Sequence, residues 1–189
     1  MRKNGMQDAE LAALAQAGDR AAFGELVQRY AGQARRVARS ILHHDEDADD
    51  AAQDGFLTAL RQLGRYDATR PFGPWLMRIV ANKASDRRRR RRVRAAQPLG
   101  PRLSSEAPGP DEAAHRAGLR AALRAALAKL PERQRLAVVL FDVEDYRHAE
   151  IAEILDVPVG TVRSDVFHAR RALRETLGAW RERKEEKPR

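Results

Sequence analysis

The sequence predicts an all-α fold of two helical domains joined by a flexible linker, and three observations support this. Ala, Leu, Arg, Glu and Gln dominate the 189 residues, and most of these residue types favour helices. The alternating apolar and polar positions that would indicate strands are absent. Between the two helical halves lies a stretch rich in proline and glycine, which cannot continue a helix.

Composition excludes several classes of protein. The chain has no cysteine, which excludes a disulfide framework, a thiolate metal site and a cysteine nucleophile. Residues 1–5 are too few and too polar for a signal peptide, and no apolar run approaches the roughly 18 residues that span a bilayer. We therefore expect a soluble, cytoplasmic protein.

The positive charge is concentrated in one segment. The net charge of the chain is +9, from 36 Lys and Arg against 27 Asp and Glu. Residues 61–94 hold 12 basic and 2 acidic side chains, a net +10, whereas residues 1–60 carry −3 and residues 95–189 carry +2. This distribution indicates a localised site for a polyanion. The alternative is a solvated basic tail or a localisation signal.

An acidic helix is predicted between residues 44 and 63. Six acids fall within residues 45–54, more than helix capping requires, so a basic protein surface is the natural partner. The alternative is an ordinary solvated face. His43 and His44 precede these acids, but no further ligands follow at helical spacing, and no metal site is predicted. The predicted outer stripe comprises Glu46, Asp49, Asp50, Gln53 and Leu57. The predicted packed face comprises Ala48, Ala52, Phe56, Ala59, Leu60 and Leu63.

The next segment, residues 65–94, combines aromatic and basic side chains. Tyr66, Phe72 and Trp75 surround two prolines and a glycine, and a helix is predicted to start near Pro74. Aromatic rings beside arginines suit single-stranded nucleic acid, because each stacked base contributes roughly 1–3 kcal/mol. The alternative is that Phe72 and Trp75 are ordinary core residues. Inward positions of this helix are Trp75, Leu76, Ile79 and Val80. A polar stripe comprises Arg78, Asn82, Ser85 and Arg89, and Asp86 is predicted to form an ion pair with a nearby arginine.

The linker is the clearest boundary in the chain. Residues 97–111 read QPLGPRLSSEAPGPD and contain four of the nine prolines. We place the linker at residues 96–111, between a first domain at residues 8–95 and a second at residues 112–178.

The second domain is predicted to end in a helix-turn-helix. Helices are expected at about residues 112–129, 131–143 and 148–155, with a long fourth helix from residue 160. Residues 137–141 could form a short strand, but the surrounding apolar spacing is helical. That stripe comprises Leu136, Val139, Leu140 and Val143.

The long fourth helix has two distinct faces. A short helix, a sharp turn and a basic helix with donors on its outer face are typical of major-groove recognition. The alternative is a generic helical hairpin. The inward residues are Val162, Val166, Ala169, Leu173 and Leu177. The outward residues are Arg163, Ser164, Phe167, His168 and Arg171.

Three motifs together resemble one family, the group IV or extracytoplasmic-function (ECF) sigma factors of bacterial RNA polymerase. Residues 47–60, DADDAAQDGFLTAL, are similar to the region 2 helix that binds core polymerase. Residues 70–90, RPFGPWLMRIVANKASDRRRR, resemble the promoter-melting segment. Residues 130–173, LPERQRLAVVLFDVEDYRHAEIAEILDVPVGTVRSDVFHARRAL, resemble region 4. The resemblance covers about residues 11–177, and the order of the three motifs makes it specific.

The resemblance implies a function and its partners. A sigma factor directs core RNA polymerase to promoters, recognises the minus-ten and minus-thirty-five elements and stabilises the melted non-template strand. The implied partners are the β′ and β subunits of core polymerase, promoter DNA and an anti-sigma factor. No cofactor, metal, catalytic residue or small-molecule substrate is implied.

The resemblance also assigns residues to three surfaces. The core-polymerase residues would be Asp47, Asp49, Asp50, Gln53 and Leu57. The minus-ten residues would be Tyr66, Phe72, Arg78, Asn82, Ser85, Arg88 and Arg89, with the arginine run at 87–92 holding adjacent phosphates. The minus-thirty-five residues would be Thr161, Arg163, Ser164, Phe167, His168 and Arg171.

Several residues depart from the family pattern. Ala51 and Ala52 replace a bulkier apolar pair, and Gly55 lies mid-helix at a cost of about 1 kcal/mol. Asp165 and His168 stand where basic residues are frequent, which leaves the minus-thirty-five sequence open.

Two other functions remain as alternatives at this point. A stand-alone helix-turn-helix regulator would explain residues 112–178 and leave the acidic helix unexplained. An enzyme such as a recombinase would need a catalytic N-terminal domain, yet residues 1–95 show no strand pattern and no nucleophile beside a base.

Overall fold

The computed structural model of the chain describes residues 6–95 and 112–185. Within these ranges every regular element is a helix, which confirms the predicted all-α fold, and none is long and apolar enough to cross a membrane. The linker predicted at residues 96–111 lies outside the described residues, so the domain boundaries stay a prediction. The helices are α1 (Asp8–Gln16), α2 (Arg20–Leu42), α3 (Asp45–Gln62), a 3-10 turn (Leu63–Arg65), α4 (Phe72–Ala95), α5 (Glu112–Lys129), α6 (Glu132–Asp142), α7 (His148–Leu155) and α8 (Val159–Glu185).

Helices α1 to α4 form the first bundle, with α2 at its centre. The Asp19 carboxylate caps α2 by accepting hydrogen bonds from the backbone N–H groups of Ala21 (2.9 Å) and Ala22 (3.1 Å). Helix α2 packs against both α3 and α4, and α3 packs against α4. The acidic helix and the basic helix are therefore neighbours in one bundle.

The contact between α3 and α4 is closest at Gly55. A β-carbon at Gly55 would lie 2.7 Å from Val80 Cγ2 and 3.3 Å from Val80 Cα. The mid-helix glycine, a departure from the family pattern, is explained by this close approach of the two helices. The remaining buried residues of α3 are also small: Ala48, Ala51, Ala52, Thr58 and Ala59.

This small-residue face makes one sequence prediction wrong. Leu60, predicted to pack inward, is 47% exposed. Because Gly55 and Thr58 lie in the contact, the packed face of α3 is turned away from Leu60. The other predicted inward positions are confirmed as buried or half-buried: Ala48, Ala52, Phe56, Ala59 and Leu63.

Helices α5 to α8 form the second bundle. Helix α6 is continuous, so residues 137–141 are not a strand. Val143 is exposed although it lies on the predicted apolar stripe, because α6 ends one residue earlier. Helix α7 ends at Asp156 in the left-handed conformation (φ 57°), and α8 begins at Val159, which confirms the predicted helix-turn-helix. The predicted inward residues Val162, Val166 and Ala169 are buried.

The two bundles contact each other, which the sequence did not predict. Helix α7 lies against α4, and α6 lies against α2. Buried apolar residues of both bundles form one continuous cluster. It includes Tyr146, from the loop that joins α6 to α7. The contact between the two bundles covers part of α4, the basic helix.

Candidate functional site

The first candidate surface is an acidic ridge along α3, defined as Asp47, Asp49, Asp50, Gln53 and Leu57. Gln53 is exposed and Leu57 is 55% exposed, as expected for a surface that binds another protein. The helix begins with Asp45, Glu46 and Asp47, whose charges the helix dipole favours. The ridge therefore presents carboxylates around an exposed apolar side chain.

The carboxylates of the acidic ridge are paired with arginines of the same bundle. Arg87 Nη2 lies 2.6 Å from the Asp50 carboxylate, and Arg91 Nη1 lies 2.6 Å from that of Asp47. Arg35 Nε lies 2.6 Å from the Asp49 carboxylate. Arginines 87 and 91 of the run at 87–92, expected to hold DNA phosphates, thus lie against α3 in this structure. Ion pairs this exposed contribute about 0–1 kcal/mol each to stability. The cations of a basic partner protein can therefore replace these arginines at little cost in free energy.

The second candidate surface is the aromatic loop before α4, and here the structure corrects an expectation. The rings of Tyr66 and Phe72 are buried, with 5% and 2% exposure, and they are not free stacking platforms. The Tyr66 ring centroid lies 5.4 Å from that of Phe72 and 4.8 Å from that of Trp75, which is half-buried. The aromatic residues pack together as core because each offers an apolar ring to the others. For Phe72 this is the alternative that the sequence left open.

Hydrogen bonds from Gln16 at the end of α1 and from the buried Tyr66 hold the backbone of this loop. Gln16 Nε2 donates to the carbonyl oxygens of Leu63 and Tyr66, each at 2.8 Å. The Tyr66 hydroxyl donates to the carbonyl oxygen of Arg70. Burial raises the pKa of Tyr66, so this hydroxyl stays protonated and remains a donor. The backbone of the loop is therefore fixed by hydrogen bonds as well as by ring packing.

The polar stripe of α4 faces the second bundle. Arg78 Nη2 lies 3.1 Å from the Asp156 carboxylate, and Ser85 Oγ donates to Glu132 at 2.8 Å. Arg88 also pairs with Glu132. Asn82 and Arg89 are exposed. The predicted pairing of Asp86 is confirmed, because Arg89 Nη2 lies 2.6 Å from its carboxylate.

A cavity of about 630 Å³ lies beside this contact, between the loop before α4 with the start of α4 on one side and α7 with the turn after it on the other. Arginine and aromatic side chains of the first bundle form one wall, and acidic side chains of α7 form the other. The lining includes Arg70, Trp75, Arg78, Glu153, Asp156 and Val159. Arg70 Nη2 spans the gap to the Glu153 carboxylate at 2.8 Å.

The third candidate surface is the outer face of α8. Phe167 is 62% exposed, and its ring centroid lies 5.5 Å from that of His168 in an edge-on arrangement. Arg163, Ser164 and Arg171 are also exposed, whereas Thr161, near the start of the helix, is half-buried. The outward residues predicted for this helix therefore share one open face.

Asp165 and Arg135 are important residues whose positions the sequence did not reveal. Asp165 is on the buried side of α8, where Arg133 Nε lies 2.6 Å from its carboxylate, so it does not belong to the outer face. The buried Arg135 guanidinium donates to the carbonyl oxygens of Leu130 at 3.0 Å and Ser40 at 2.5 Å. Burial lowers the pKa of Arg135 to about 10. The sequence signal that could have revealed the burial of Arg135 is its position on the apolar stripe of α6, four residues before Val139.

Across the residues that the structure describes, no group of three histidine or acidic side chains is placed to hold a metal ion. The arrangement instead offers protein-binding and nucleic-acid-binding chemistry: exposed carboxylates, exposed guanidinium groups, and amide, hydroxyl and aromatic side chains on two helices.

Comparisons with known proteins identify the family. The family models for Sigma-70 region 2 and Sigma-70 region 4 match residues 26–94 and 120–173. The chain is 43% identical over 173 residues to the ECF RNA polymerase sigma factor SigM of Mycobacterium tuberculosis, with 90% of this chain and 85% of SigM covered. The chain belongs to the ECF sigma factors. Like the rest of that family, this sigma factor is a transcription initiation factor that directs RNA polymerase to promoters.

Solved structures agree with the family. CnrH, in complex with the cytosolic domain of CnrY, matches this sigma factor with a TM-score of 0.68 and 33% identity, over 91% of this chain and 97% of that one. RpoE of Bartonella quintana, in complex with the anti-sigma factor NepR, matches with a TM-score of 0.66 over 82% of this chain and 96% of that one. At 23% identity the RpoE match supports the fold alone. The stand-alone regulator is not favoured, because region 2 is present beside region 4.

Proposed function

We propose that this sigma factor uses its three surfaces for three separate tasks: core polymerase binding, minus-ten recognition and minus-thirty-five recognition. The observation that carries the proposal is the two-sided structure of α8. One side is locked to the bundle by Val162, Asp165 and Val166, and the other presents a continuous open face. A helix fixed in this way can place donors against base edges in the major groove.

Core polymerase binding belongs to the acidic ridge of α3. A basic helical surface on the β′ subunit would exchange its own cations for Arg87 and Arg35, which now pair with Asp50 and Asp49. Leu57, exposed beside these carboxylates, would supply the apolar contact that anchors such an interface. Release of Arg87 would also make its guanidinium available to DNA.

Minus-ten recognition belongs to α4 and the loop before it. Flipping a base out of the stack costs a few kcal/mol, so a site that holds the extruded base favours the melted promoter. Asn82 is exposed and carries both a donor and an acceptor for a base edge. Arg78, Ser85, Arg88 and Arg89 would hold the adjacent backbone. Tyr66 and Phe72 would act through the loop they support, since their rings are buried.

Minus-thirty-five recognition belongs to the outer face of α8. Arg163 and Arg171 offer guanidinium groups for guanine or phosphate, and Ser164 offers a hydroxyl. Phe167 can contact a thymine methyl, and His168 can donate or accept a hydrogen bond. Thr161 lies where the start of a recognition helix approaches phosphates.

We infer two further properties from the family. One is an anti-sigma partner, because the sigma factor CnrH, 33% identical to this chain, was solved in complex with the cytosolic domain of a second protein, CnrY. The other is action in the cytoplasm without catalysis of its own, which fits a subunit that supplies specificity to polymerase.

In vitro transcription with purified core polymerase tests the proposed function. Addition of the purified chain to core enzyme on fragmented genomic DNA should give transcripts with discrete start sites that share two upstream elements. Core enzyme alone is the control. If no discrete start site depends on the added chain, the proposed function is wrong.

A further inference from the structure

Gln16, the last residue of α1, bridges the 3-10 turn at residues 63–65. Its Nε2 group donates one hydrogen bond to the Leu63 carbonyl oxygen and one to the Tyr66 carbonyl oxygen, each at 2.8 Å. Both N–H bonds of the amide are used in this way. One side chain of α1 therefore holds the first residue of the turn and the residue that follows it.

The turn itself contributes little to its own rigidity. It has three residues and is closed by the backbone hydrogen bond from Tyr66 N to the Leu63 carbonyl oxygen at 3.0 Å, and 3-10 hydrogen bonds have poor geometry. Gly64 lies at its centre, where a β-carbon would meet no described atom within 4 Å, its chain neighbours aside. Packing therefore does not restrain the backbone at Gly64, and glycine has more conformational freedom than any other residue. The Gln16 amide supplies a restraint from outside the loop.

Other hydrogen bonds hold the second half of the loop. The Asp67 carboxylate accepts hydrogen bonds from the Thr69 N–H at 2.9 Å and from the Thr69 hydroxyl at 2.7 Å. The Arg70 N–H donates to the Asp67 carbonyl oxygen at 3.0 Å. These contacts begin after Tyr66, so they do not reach the turn that carries Arg65.

Arg65 is the exposed side chain at the end of this turn. It lines the cavity beside α4, together with Arg70, Trp75 and Arg78. Arg70 and Arg78 pair with carboxylates of α7. Arg65 has no ion pair or side-chain hydrogen bond in the part of the chain that the structure describes. Its guanidinium is therefore available to an anion at this cavity.

The surroundings of Arg65 favour a phosphate over a base as that anion's source of contact. Arg65 is exposed, whereas Trp75 in the same cavity is half-buried. When proteins bind single strands, aromatic rings stack on the bases and cationic side chains hold the backbone. This division gives the base to the recessed ring and the phosphate to the exposed guanidinium.

We propose that Arg65 binds a backbone phosphate of the melted non-template strand, and that Gln16 is the positioning residue that orients Arg65. Gln16 does not touch DNA in this assignment and acts through the turn. The proposal rests on the proposed function, because that function brings the melted strand to the loop before α4. The sequence assigned neither residue to the minus-ten surface.

The affinity of holoenzyme for a fork-junction probe tests the assignment of Arg65. The probe is duplex upstream and single-stranded over the minus-ten element, with the sequence of a promoter found by in vitro transcription. Arg65→Ala should weaken binding about threefold or more. It should also reduce the magnitude of the slope of log affinity against log salt by about 0.7, the value for one phosphate contact on a single strand.

Arg61→Ala is the matched control for Arg65→Ala. Arg61 is also an exposed arginine, but its guanidinium contacts the Thr58 hydroxyl at 3.2 Å and it lies outside the cavity lining. Its affinity and its salt slope should equal those of the unaltered chain. An unchanged slope in Arg65→Ala, or an equal change in Arg61→Ala, would overturn the phosphate contact.

Gln16→Met tests the positioning role. Methionine has nearly the length of glutamine and no charge, but it has no N–H to donate. We expect affinity to fall about twofold or more and the salt slope to decrease in magnitude, because Arg65 is no longer held. In the Arg65→Ala background, Gln16→Met should have no further effect. Gln28→Met, at an exposed glutamine of α2, should leave both quantities unchanged.

A general loss of structure would give a different result. If Gln16→Met lowered the affinity by the same factor with and without Arg65, Gln16 would act on the fold as a whole, and the positioning role would be overturned. Circular dichroism and the urea midpoint of each variant identify such a loss directly.

Gly64→Ala tests whether the effect passes through the turn. Alanine adopts the 3-10 conformation of Gly64 without strain and reduces the freedom of the backbone. In the Gln16→Met background, Gly64→Ala should restore part of the lost affinity. Absence of any recovery would overturn the action of Gln16 through the turn.

Failure of this proposal is distinguishable from failure of the proposed function. If transcription gives discrete start sites but the variants of Gln16 and Arg65 behave like their controls, the two assignments are wrong and the proposed function stands. If no discrete start site depends on the added chain, both are wrong, because the melted strand is then not a ligand of this loop.

Discussion

Arg133 and Asp165 form an ion pair of 2.6 Å that joins α6 to the buried side of α8. The hydrogen bond to Asp165 raises the pKa of Arg133, and the Asp165 carboxylate is almost fully buried. Asp165 therefore holds the orientation of α8 and lies on the side opposite the proposed DNA-binding face.

The substitution Arg133→Ala should destabilise the chain by about 1–3 kcal/mol, because it leaves a buried carboxylate without its partner. Urea unfolding measures this change. Arg163→Ala is the matched control: it removes an exposed arginine from α8 and should change the free energy of unfolding by less than about 0.5 kcal/mol. The same control should weaken binding to minus-thirty-five DNA. Equal stability of the two variants would contradict the assignment of Asp165.

The substitution Gly55→Ala should also be destabilising, although alanine favours helices. The gain in helix propensity is about 1 kcal/mol. The new β-carbon would lie 2.7 Å from Val80 Cγ2 and 3.3 Å from Val80 Cα, and overpacking of this kind costs about 1–3 kcal/mol. Urea unfolding of Gly55→Ala, Val80→Ala and the double variant measures the coupling. The double variant should be more stable than the sum of the single effects predicts. Additive effects would show that the α3–α4 contact tolerates the methyl group.

The sequence predicted the helices because their signals are local. Helix α7 at 148–155 was placed correctly from apolar spacing and from the break at 156–158. The inward faces of α4 and α8 followed from the same periodicity, with Leu76, Val80 and Val162 buried as expected. Periodicity finds the face of a helix that packs, and this was enough to recognise the fold.

What the sequence could not reveal depends on contacts between distant residues. The pairing of Arg87 with Asp50 joins residues 37 positions apart, and that of Arg36 with Glu144 joins residues 108 apart. From the sequence alone, a charged side chain on a helix cannot be assigned to an ion pair or to solvent, because its spatial neighbour is not known. The loop at Tyr66 is likewise held by Gln16, which lies 50 positions earlier in the chain. The sequence therefore indicated the exposed residues of α3 and α8, but it did not reveal the burial of Tyr66 or, apart from the pair of Asp86, the ion pairs.

The acidic ridge leads to a prediction for core polymerase. The double substitution Asp50→Ala/Gln53→Ala removes one carboxylate and one amide from the centre of the ridge, so binding to core enzyme should weaken at least tenfold. Anisotropy of the labelled chain titrated with core enzyme measures the affinity. Asp45→Asn, which removes an exposed carboxylate at the start of the same helix, should have a smaller effect. Binding to duplex minus-thirty-five DNA should be unchanged in both variants, and a parallel loss there would indicate misfolding.

Asn82 leads to a prediction about promoter melting. Its exposed amide can pair with the edge of an extruded base, which exists only after the strands separate. Asn82→Ala should therefore reduce open complexes several-fold and leave closed-complex binding nearly unchanged. Permanganate reactivity of unpaired thymines measures the open complexes, and gel retardation at low temperature measures closed-complex binding. Lys83→Ala, a substitution of the neighbouring residue, is the control. A larger loss of closed-complex binding than of permanganate reactivity would contradict the assignment.

His43 leads to a prediction about pH. It ends α2 in the left-handed conformation (φ 61°), close to the contact between the two regions. Partial burial, together with the positive charges of Arg135 in region 4 and Arg88 in region 2, and with His44 beside it, lowers the pKa of His43 from 6.5 to about 4. Unfolding removes the burial and these neighbouring charges and returns the pKa toward its ordinary value, so the unfolded chain binds the proton more tightly.

The contribution of His43 to the free energy of unfolding is therefore complete above pH 6.5 and is lost as the pH falls from 6.5 toward 4. The urea midpoint of unfolding should decrease between pH 7.5 and pH 5. In His43→Gln, which cannot be protonated, the decrease should be much smaller. His168→Gln, at an exposed position on α8, should retain the full decrease, because His168 lies on the open outer face and not at the contact. An identical pH profile in His43→Gln and in the unaltered chain would show that another group governs the response.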